Sequence, residues 1–370
     1  MKVSYINGIC VHHDAISQSV RDEIQRLAGQ GGMDVRLFAY ACDYADIPFQ
    51  HVQTAADIAL DPHFQASDLV VFHFGVHYPL FDLLPAVSKK ARRLVVFHNI
   101  TPRDMVAPDG RETIDRSFAQ LSNMVWADHV LCASATNLQV LRAASIRTPA
   151  SVMPLSVGVE AMPAGKPSFQ DGLVRIAFLG RFVRSKGPHE LLRALSIVMA
   201  TLPVTTVELN LIGNLNFSDQ DLLAQLRVSA AALEESYPGR LRIVFHGSVS
   251  NQHKQVLLNE ADLFVLPTYH EGFCVPIIEA LAAGCRVVVY ENSNTPSISG
   301  GVATLVPTGD VPLLAKAVRD ELCLVTTGAW QDSGYRDHGQ RIQRHVRQFC
   351  PTRVGHRFIR FIEKFMRVHG

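Results

Sequence analysis

The chain has 370 residues, 48% of them hydrophobic and 19% charged, with a net charge of +1. At about 150 residues per domain such a chain fills two or three cores, and its balanced charge gives no reason to expect nucleic acid as a partner. Seven scattered cysteines without a CxxC pair argue against a disulfide framework or a zinc site, no apolar run is long enough to span a bilayer, and MKVSYING is too soon polar for a signal peptide. The expected location is therefore cytoplasmic.

In chain order, strands are predicted at 2–7, 34–40, 69–74, 93–98, 129–133 and 151–154. Helices are predicted between them near 16–29, 54–66, 79–91, 113–126 and 136–145. Residues 155–172 are rich in Gly, Pro and Ser and read as a linker. The rhythm then restarts, with strands at 174–179, 206–212, 241–246, 262–266, 286–290 and 303–306. Helices near 188–201, 219–235, 252–260, 276–283 and 311–325 alternate with them. Strands alternating with helices imply doubly wound parallel sheets. The last stretch, 336–369, reads helical and basic. A solvated helix face is one reading of it, and attraction to anionic lipid at the inner face of a membrane is another. Co-sedimentation with anionic vesicles at low and high salt separates the two.

Two motifs carry the chemistry. GRFVRSKG, 180–187, follows a strand and precedes a helix, with Arg181 and Lys186 flanking the turn. Gly180 permits the turn and Gly187 opens the helix. Two cations at the carboxyl edge of a parallel sheet suit a diphosphate. Taken alone, the stretch also reads as an exposed basic loop. The second motif runs from Leu266 to Tyr290. Glu271 lies in the loop after a strand, Pro276 is expected as the first helical residue, and Glu279 lies in the early turns. Amides at that helix N-terminus form a seat for an anion between two carboxylates. A ligand with both hydroxyls and phosphates, such as a sugar nucleotide, fits the pattern. Asp219-Gln220-Asp221 reads as a helix start after Ser218 rather than a metal motif. His73 and His77 have a helical zinc spacing, but His73 ends a strand, so no metal is expected there.

Together, Gly180-Arg181, Lys186-Gly187 and Glu271-Gly272-Phe273 with Glu279 eight residues on resemble the retaining glycosyltransferases of family 4. The resemblance implies an α/β GT-B fold: two Rossmann-like, doubly wound parallel-sheet domains facing across a cleft. Residues 1–160 would form an acceptor-side domain and 161–351 a nucleotide-sugar domain, with a C-terminal helix at 352–370 rejoining the first. Arg181 and Lys186 would bind the donor diphosphate and Glu279 the ribose hydroxyls. Glu271 would orient the donor sugar, and the amides of Gly272, Phe273 and Cys274 would meet sugar hydroxyls or phosphate. Family members more often have Gly or Ser at the position of Cys274. His98, at a predicted strand end in FHNITP, matches a family histidine near the donor sugar; by itself it reads as structural. The first loop departs from the family's Gly-Gly pair, and His12, His13 and Asp14 there are candidate acceptor contacts.

The implied reaction transfers a hexose, with mannose from GDP-mannose slightly favoured, to a glycan or lipid-linked acceptor in bacterial-type surface polysaccharide synthesis. It would proceed with retention, without a metal or cofactor, and His98, Glu271, Arg181 and Lys186 would carry it. Alternatives are a UDP-glucose or UDP-GlcNAc transferase, a sugar-nucleotide epimerase of the same architecture, and a binding protein without turnover. A nicotinamide dehydrogenase is disfavoured because no GxGxxG follows a first strand.

Overall fold

A computed structural model describes residues 1–12, 14–158, 160–202 and 206–367. The chain forms two compact units. The first contains residues 1–104, 108–156 and the chain from Phe349 onward; the second contains 157–348 and the short segment Met105–Ala107.

The first unit is built on strands β1 (Lys2–Ile6), β2 (Ile9–Cys10), β3 (Asp34–Ala39), β4 (Ala41–Cys42), β5 (Phe49–His51), β6 (Leu69–Phe74), β7 (Arg92–Phe97), β8 (His129–Cys132) and β9 (Ala150–Val152). Its helices include α1 (Ala15–Ala28), α2 (Ala55–Ala59), α3 (Pro62–Gln65), α4 (Arg111–Gln120) and α5 (Ala135–Ala143). Seven strands form a parallel sheet in the order β5-β3-β1-β6-β7-β8-β9. β2 and β4 form a separate two-stranded parallel pair. Every residue of β6, LVVFHF, is buried, as expected of a parallel strand covered on both faces.

The second unit contains α6 (Ser168–Asp171), β10 (Leu173–Leu179), α7 (Pro188–Thr201), β11 (Thr206–Ile212), α8 (Gln220–Ser236), β12 (Leu241–Gly247), α9 (Asn251–Glu260), β13 (Leu263–Leu266) and α10 (Val275–Ala282). It continues with β14 (Arg286–Glu291), α11 (Thr295–Ser299), β15 (Thr304–Pro307), α12 (Val311–Val325) and α13 (Tyr335–Val346). Its sheet is parallel in the order β12-β11-β10-β13-β14-β15. The order reverses between β10 and β13, and ligands of open α/β sheets bind where the loops diverge at such a switch point.

Three expectations need correction. The helix predicted at 79–91 is a 3₁₀ segment, Pro79–Ala86; Pro85 lacks an N–H and crowds the preceding turn, so an α-helix cannot run through it. The single helix near 54–66 is two short ones, α2 and α3, parted before Pro62. The boundary between the units, at 156–157, falls within the stretch read as a linker, and the later part of that stretch is tied to the second unit. Lys166 is buried and its Nζ donates to the carbonyls of Asn259 at 2.9 Å and Ala283 at 2.7 Å. It thereby satisfies backbone acceptors at the ends of α9 and α10. Ser168 donates to Asp262 at 2.5 Å. Finally, Pro276 is the second residue of α10, which begins at Val275.

The basic C-terminal stretch divides between the units. α13 belongs to the second, and α14 (Pro351–Arg367) belongs to the first. Phe358, Ile362 and Phe365 of α14 sit in one core cluster with Val20, Ile24 and Leu27 of α1. Each such side chain contributes about 1.5–3 kcal/mol when fully buried. Arg353, Arg357, Arg360, Lys364 and Arg367 remain exposed on the opposite face. The apolar face of α14 is thus committed to the protein's own core, and only its charged face meets solvent. No helix among the described residues is long and apolar enough to cross a membrane.

Candidate functional site

In the second unit the loops after β10 and β13 are stitched together at the switch point. After β10, Arg184–Lys186 make a single 3₁₀ turn, and Gly187 then starts α7 with φ +67°. A Cβ on Gly187 would lie 2.1 Å from the carbonyl oxygen of Pro267, so only glycine fits where the loops meet. Across that contact Tyr269 N–H donates to Ser185 O at 2.8 Å, and the Thr268 hydroxyl donates to the same oxygen at 3.1 Å. From the other side, Asn292 donates to Thr268 O at 2.7 Å and Asn294 to Phe273 O at 2.9 Å. The Tyr269 hydroxyl donates to the buried carboxylate of Glu190 in the first turn of α7.

This clamp brings the charged residues together. Lys186 Nζ lies 2.6 Å from Glu271 Oε1, and Glu271 is buried. Arg181 is exposed and has no ion pair among the described residues. Glu279, in the second turn of α10, is held by Lys254 of α9, Nζ to Oε1 at 2.6 Å. Lys254 was missed in the sequence: it stands 25 residues before its partner, on a helix whose pattern carries no signal of a site. Two carboxylates, each paired with a lysine, therefore flank the start of α10, one in the loop before it and one in its second turn.

Cys274 is the N-cap of α10 and has φ +77° and ψ +68°, a left-handed conformation rare outside glycine. Its side chain does not cap the first turn. Burial, and next the Glu271 carboxylate, push its thiol well above the ordinary value, so it stays protonated and is no nucleophile.

In the first unit β7 ends at Phe97, and His98 follows it directly. Gly75, just after β6, makes room for it: a Cβ there would meet Asn99 O and His98 Cβ at 3.3 Å. His98 N–H donates to Phe74 O at 2.8 Å. Its Nε2 is 2.9 Å from His73 Nδ1, and His73 Nε2 is 3.1 Å from Glu23 Oε2. Burial, with a smaller contribution from His73, holds the His98 pKa well below the usual imidazole value, so the ring is neutral. His73 takes part in this line.

The first loop is less clearly a site. The Asp14 carboxylate caps α1, accepting from Ser17 N–H at 2.8 Å and from the Ser17 hydroxyl at 2.7 Å. His12 packs edge-on against Tyr44 at 4.6 Å, and its N–H donates to Asp43. His13 lies outside the described residues. Asp219 caps α8 through Leu222 N–H at 2.9 Å, which accounts for the Asp219-Gln220-Asp221 sequence. Among the described residues no group of three or more His, Cys, Asp or Glu side chains could hold a metal ion.

Residues 174–323, which include β10, the clamp, both carboxylates and Lys254, match the family model for glycosyl transferases group 1. This stretch is a group 1 glycosyl transferase domain. The domain is 28% identical over 144 residues to a D-inositol 3-phosphate glycosyltransferase of Arthrobacter, covering 39% of this chain and 31% of that protein. It is 30% identical over 180 residues to an MMP α-(1→4)-mannosyltransferase of Mycolicibacterium hassiacum, covering 46% of this chain and 40% of that protein. The matches thus span only 31% and 40% of these relatives' own length. The backbone resembles that of sucrose-phosphate synthase from Thermosynechococcus elongatus over 100% of both chains, with a TM-score of 0.76 at 18% identity. That likeness and the two parallel-sheet units show the GT-B fold.

Proposed function

We propose that this glycosyl transferase domain moves a hexose from a nucleoside diphosphate sugar to a glycan or lipid-linked acceptor, with retention of configuration and without a metal. The observation that carries the reading is the Lys186–Glu271 contact of 2.6 Å beside the N-terminus of α10, with Arg181 exposed at the same edge. Displacement of a nucleoside diphosphate builds negative charge on the departing phosphate and positive charge on the anomeric carbon. Arg181 and Lys186 supply cations for the first. Glu271 is held by Lys186 in a fixed position, which suits orienting the sugar. Front-face attack, with the leaving phosphate accepting the acceptor's proton, follows from giving Glu271 that role rather than a nucleophile's.

With Arg181 and Lys186 on the diphosphate, Glu279, held by Lys254, would receive the ribose hydroxyls. Mannose remains the favoured sugar, supported by the mannosyltransferase among the relatives. Surface polysaccharide synthesis is the setting in which such an acceptor would be consumed.

The test is a panel of GDP-, UDP- and ADP-sugars, first for thermal stabilisation and then for transfer, with the anomeric configuration of the product read by NMR and the assay repeated with a chelator. Transfer with retention, undiminished by the chelator, is expected. An inverted product, a covalent sugar on Glu271, or conversion of the donor without any acceptor overturns the reading; the last outcome would favour an epimerase.

A further inference from the structure

Two of the seven cysteines face each other across a ladder. Cys10 ends β2, Cys42 ends β4, and the parallel pairing of those strands sets the two residues opposite one another. Residues paired in this way turn their side chains to the same side of the ladder. Neighbouring strands lie about 4.8 Å apart, inside the span of about 4.4–6.8 Å between Cα atoms that a disulfide accepts. Both cysteines are free thiols, and their side chains are hydrogen-bonded to each other. Among the described residues no other two cysteines are paired in a ladder.

The two thiols differ in access. Cys10 is fully buried in the core cluster with Val20 and Ile24 of α1, whereas Cys42 is half-buried at its margin. Burial, and next the Cys42 thiol, push the Cys10 thiol well above its ordinary value, so Cys10 is not the sulfur that meets an oxidant first. Each Sγ also makes one long hydrogen bond, Cys10 to Ser17 O at 3.6 Å and Cys42 to Tyr44 O at 3.5 Å. Thiols are weak donors, so little is lost when those protons leave. The strands that carry them are weakly secured. β2 and β4 have two residues each and pair apart from the seven-stranded sheet. The amides of Tyr40 and Asp43 donate across the pair to Gly8 O and Cys10 O, both at 2.9 Å. A ribbon this short opens at small cost.

We propose that Cys10 and Cys42 form a redox site at which a peroxide joins them in a disulfide, stapling β2 to β4. The Cys42 sulfur attacks one oxygen of the peroxide; the O–O bond breaks, water leaves, and Cys42 becomes a sulfenic acid. The Cys10 sulfur then attacks the Cys42 sulfur. The S–S bond forms as the S–O bond breaks, and the hydroxyl departs with the Cys10 proton as a second water. Two thiols have then given two electrons to one peroxide, and a small dithiol reverses the change by thiol–disulfide exchange. The staple ties the segment after β1, which leads into α1, to the segment after β3. Nothing in this site depends on sugar transfer.

In the test, one equivalent of hydrogen peroxide is added to the folded, reduced full chain, and free thiols are then blocked with iodoacetamide under denaturing conditions. The chain should take up two labels fewer than the seven of the untreated protein. Digestion without reductant should yield one linked peptide pair, Cys10 with Cys42, and dithiothreitol should restore both thiols. In Cys42→Ser the link should vanish and Cys10 should stay a free thiol. In Cys10→Ala the Cys42 sulfenic acid lacks its partner and should be trapped by dimedone; should that buried variant not fold, Cys42→Ser carries the test. Amide exchange reads the staple. In the linked chain the Tyr40 and Asp43 amides should exchange about tenfold more slowly or less, since a cross-link ordinarily shifts an opening equilibrium by more than one decade. A wild-type chain that keeps all its thiols, or a link to another cysteine in place of Cys10–Cys42, overturns the site. A Cys42→Ser chain whose Cys10 is oxidised overturns Cys42 as the sulfur attacked. A linked chain with unchanged amide exchange overturns the staple.

Discussion

At the carboxyl edge of its sheet the second unit holds charged groups in opposite-sign pairs, whereas the first holds a line that ends in a neutral ring. Lys186–Glu271 and Lys254–Glu279 are both 2.6 Å contacts between formal charges. In the first unit one carboxylate, Glu23, is separated from the edge by two imidazoles. The difference teaches how each edge answers a charged ligand. Paired charges can be drawn apart by an incoming diphosphate, because the cation then has two anions to serve. A neutral ring keeps its lone pair whatever the ionic strength, since screening acts on charges.

The largest effect expected from breaking this contrast comes from the charged edge. Glu271→Ala and Arg181→Ala should each reduce kcat for sugar transfer by about 10²–10³, the magnitude typical of losing one group that stabilises developing charge. Wild-type rates in both would remove the charged edge from the chemistry. Next comes the clamp that holds that edge. Gly187→Ala places a Cβ against Pro267 O at a positive φ. It should lower unfolding stability by about 3 kcal/mol, the upper end of ordinary single substitutions, as read from denaturant midpoints.

A third prediction asks whether neutral imidazoles matter only in the first unit. His338, in the second, accepts from Arg286 at Nδ1 (3.2 Å) and donates from Nε2 to Cys285 O (3.3 Å). Burial, and then the Arg286 guanidinium, lower its pKa from 6.5 to about 4. Below 6.5 the unfolded chain takes up a proton that the folded chain refuses. Stability from this residue is therefore complete above about pH 6.5 and is lost as pH falls toward 4, at no more than about 1.4 kcal/mol per pH unit. His338→Gln keeps one donor and one acceptor without titrating, so urea midpoints between pH 6.5 and 4 should flatten. The smallest effect is expected at Lys254. Lys254→Met should raise the donor KM about fivefold with little change in kcat, because it alters ground-state and transition-state binding alike.

The second unit was the more legible in the sequence because its motifs are contiguous. GRFVRSKG and the Glu271–Glu279 stretch each sit on one strand–loop–helix, so spacing alone places their residues at an edge. The pattern of strands and helices was also readable, since β6 and β13 are unbroken apolar runs and α7 keeps a helical period. What escaped was assembled from afar. Glu23, His73 and His98 lie 50 and 25 residues apart along the chain, and no local pattern links them. Lys254 and Lys166 were missed for the same reason. The pair β2 and β4 has two residues in each strand, too short to show any alternation. Pro85 is plain in the sequence, and it excludes an unbroken α-helix over 79–91.

The route of the chain has a consequence for how the protein is made. The first unit is left at residue 156 and resumed at Phe349, with most of the second unit lying between. A ribosome therefore finishes the second unit before releasing the helix whose Phe358, Ile362 and Phe365 close the first unit's core. Until then Ile24, Leu27 and their neighbours lack their cover, and the nascent first unit presents a greasy seam to anything nearby. Folding of 157–348 draws the two ends of that long insertion together, and each shortening of the free tether lowers the entropy lost when α14 docks. On this routing the segment that closes the first unit's core is the last of the chain to be made.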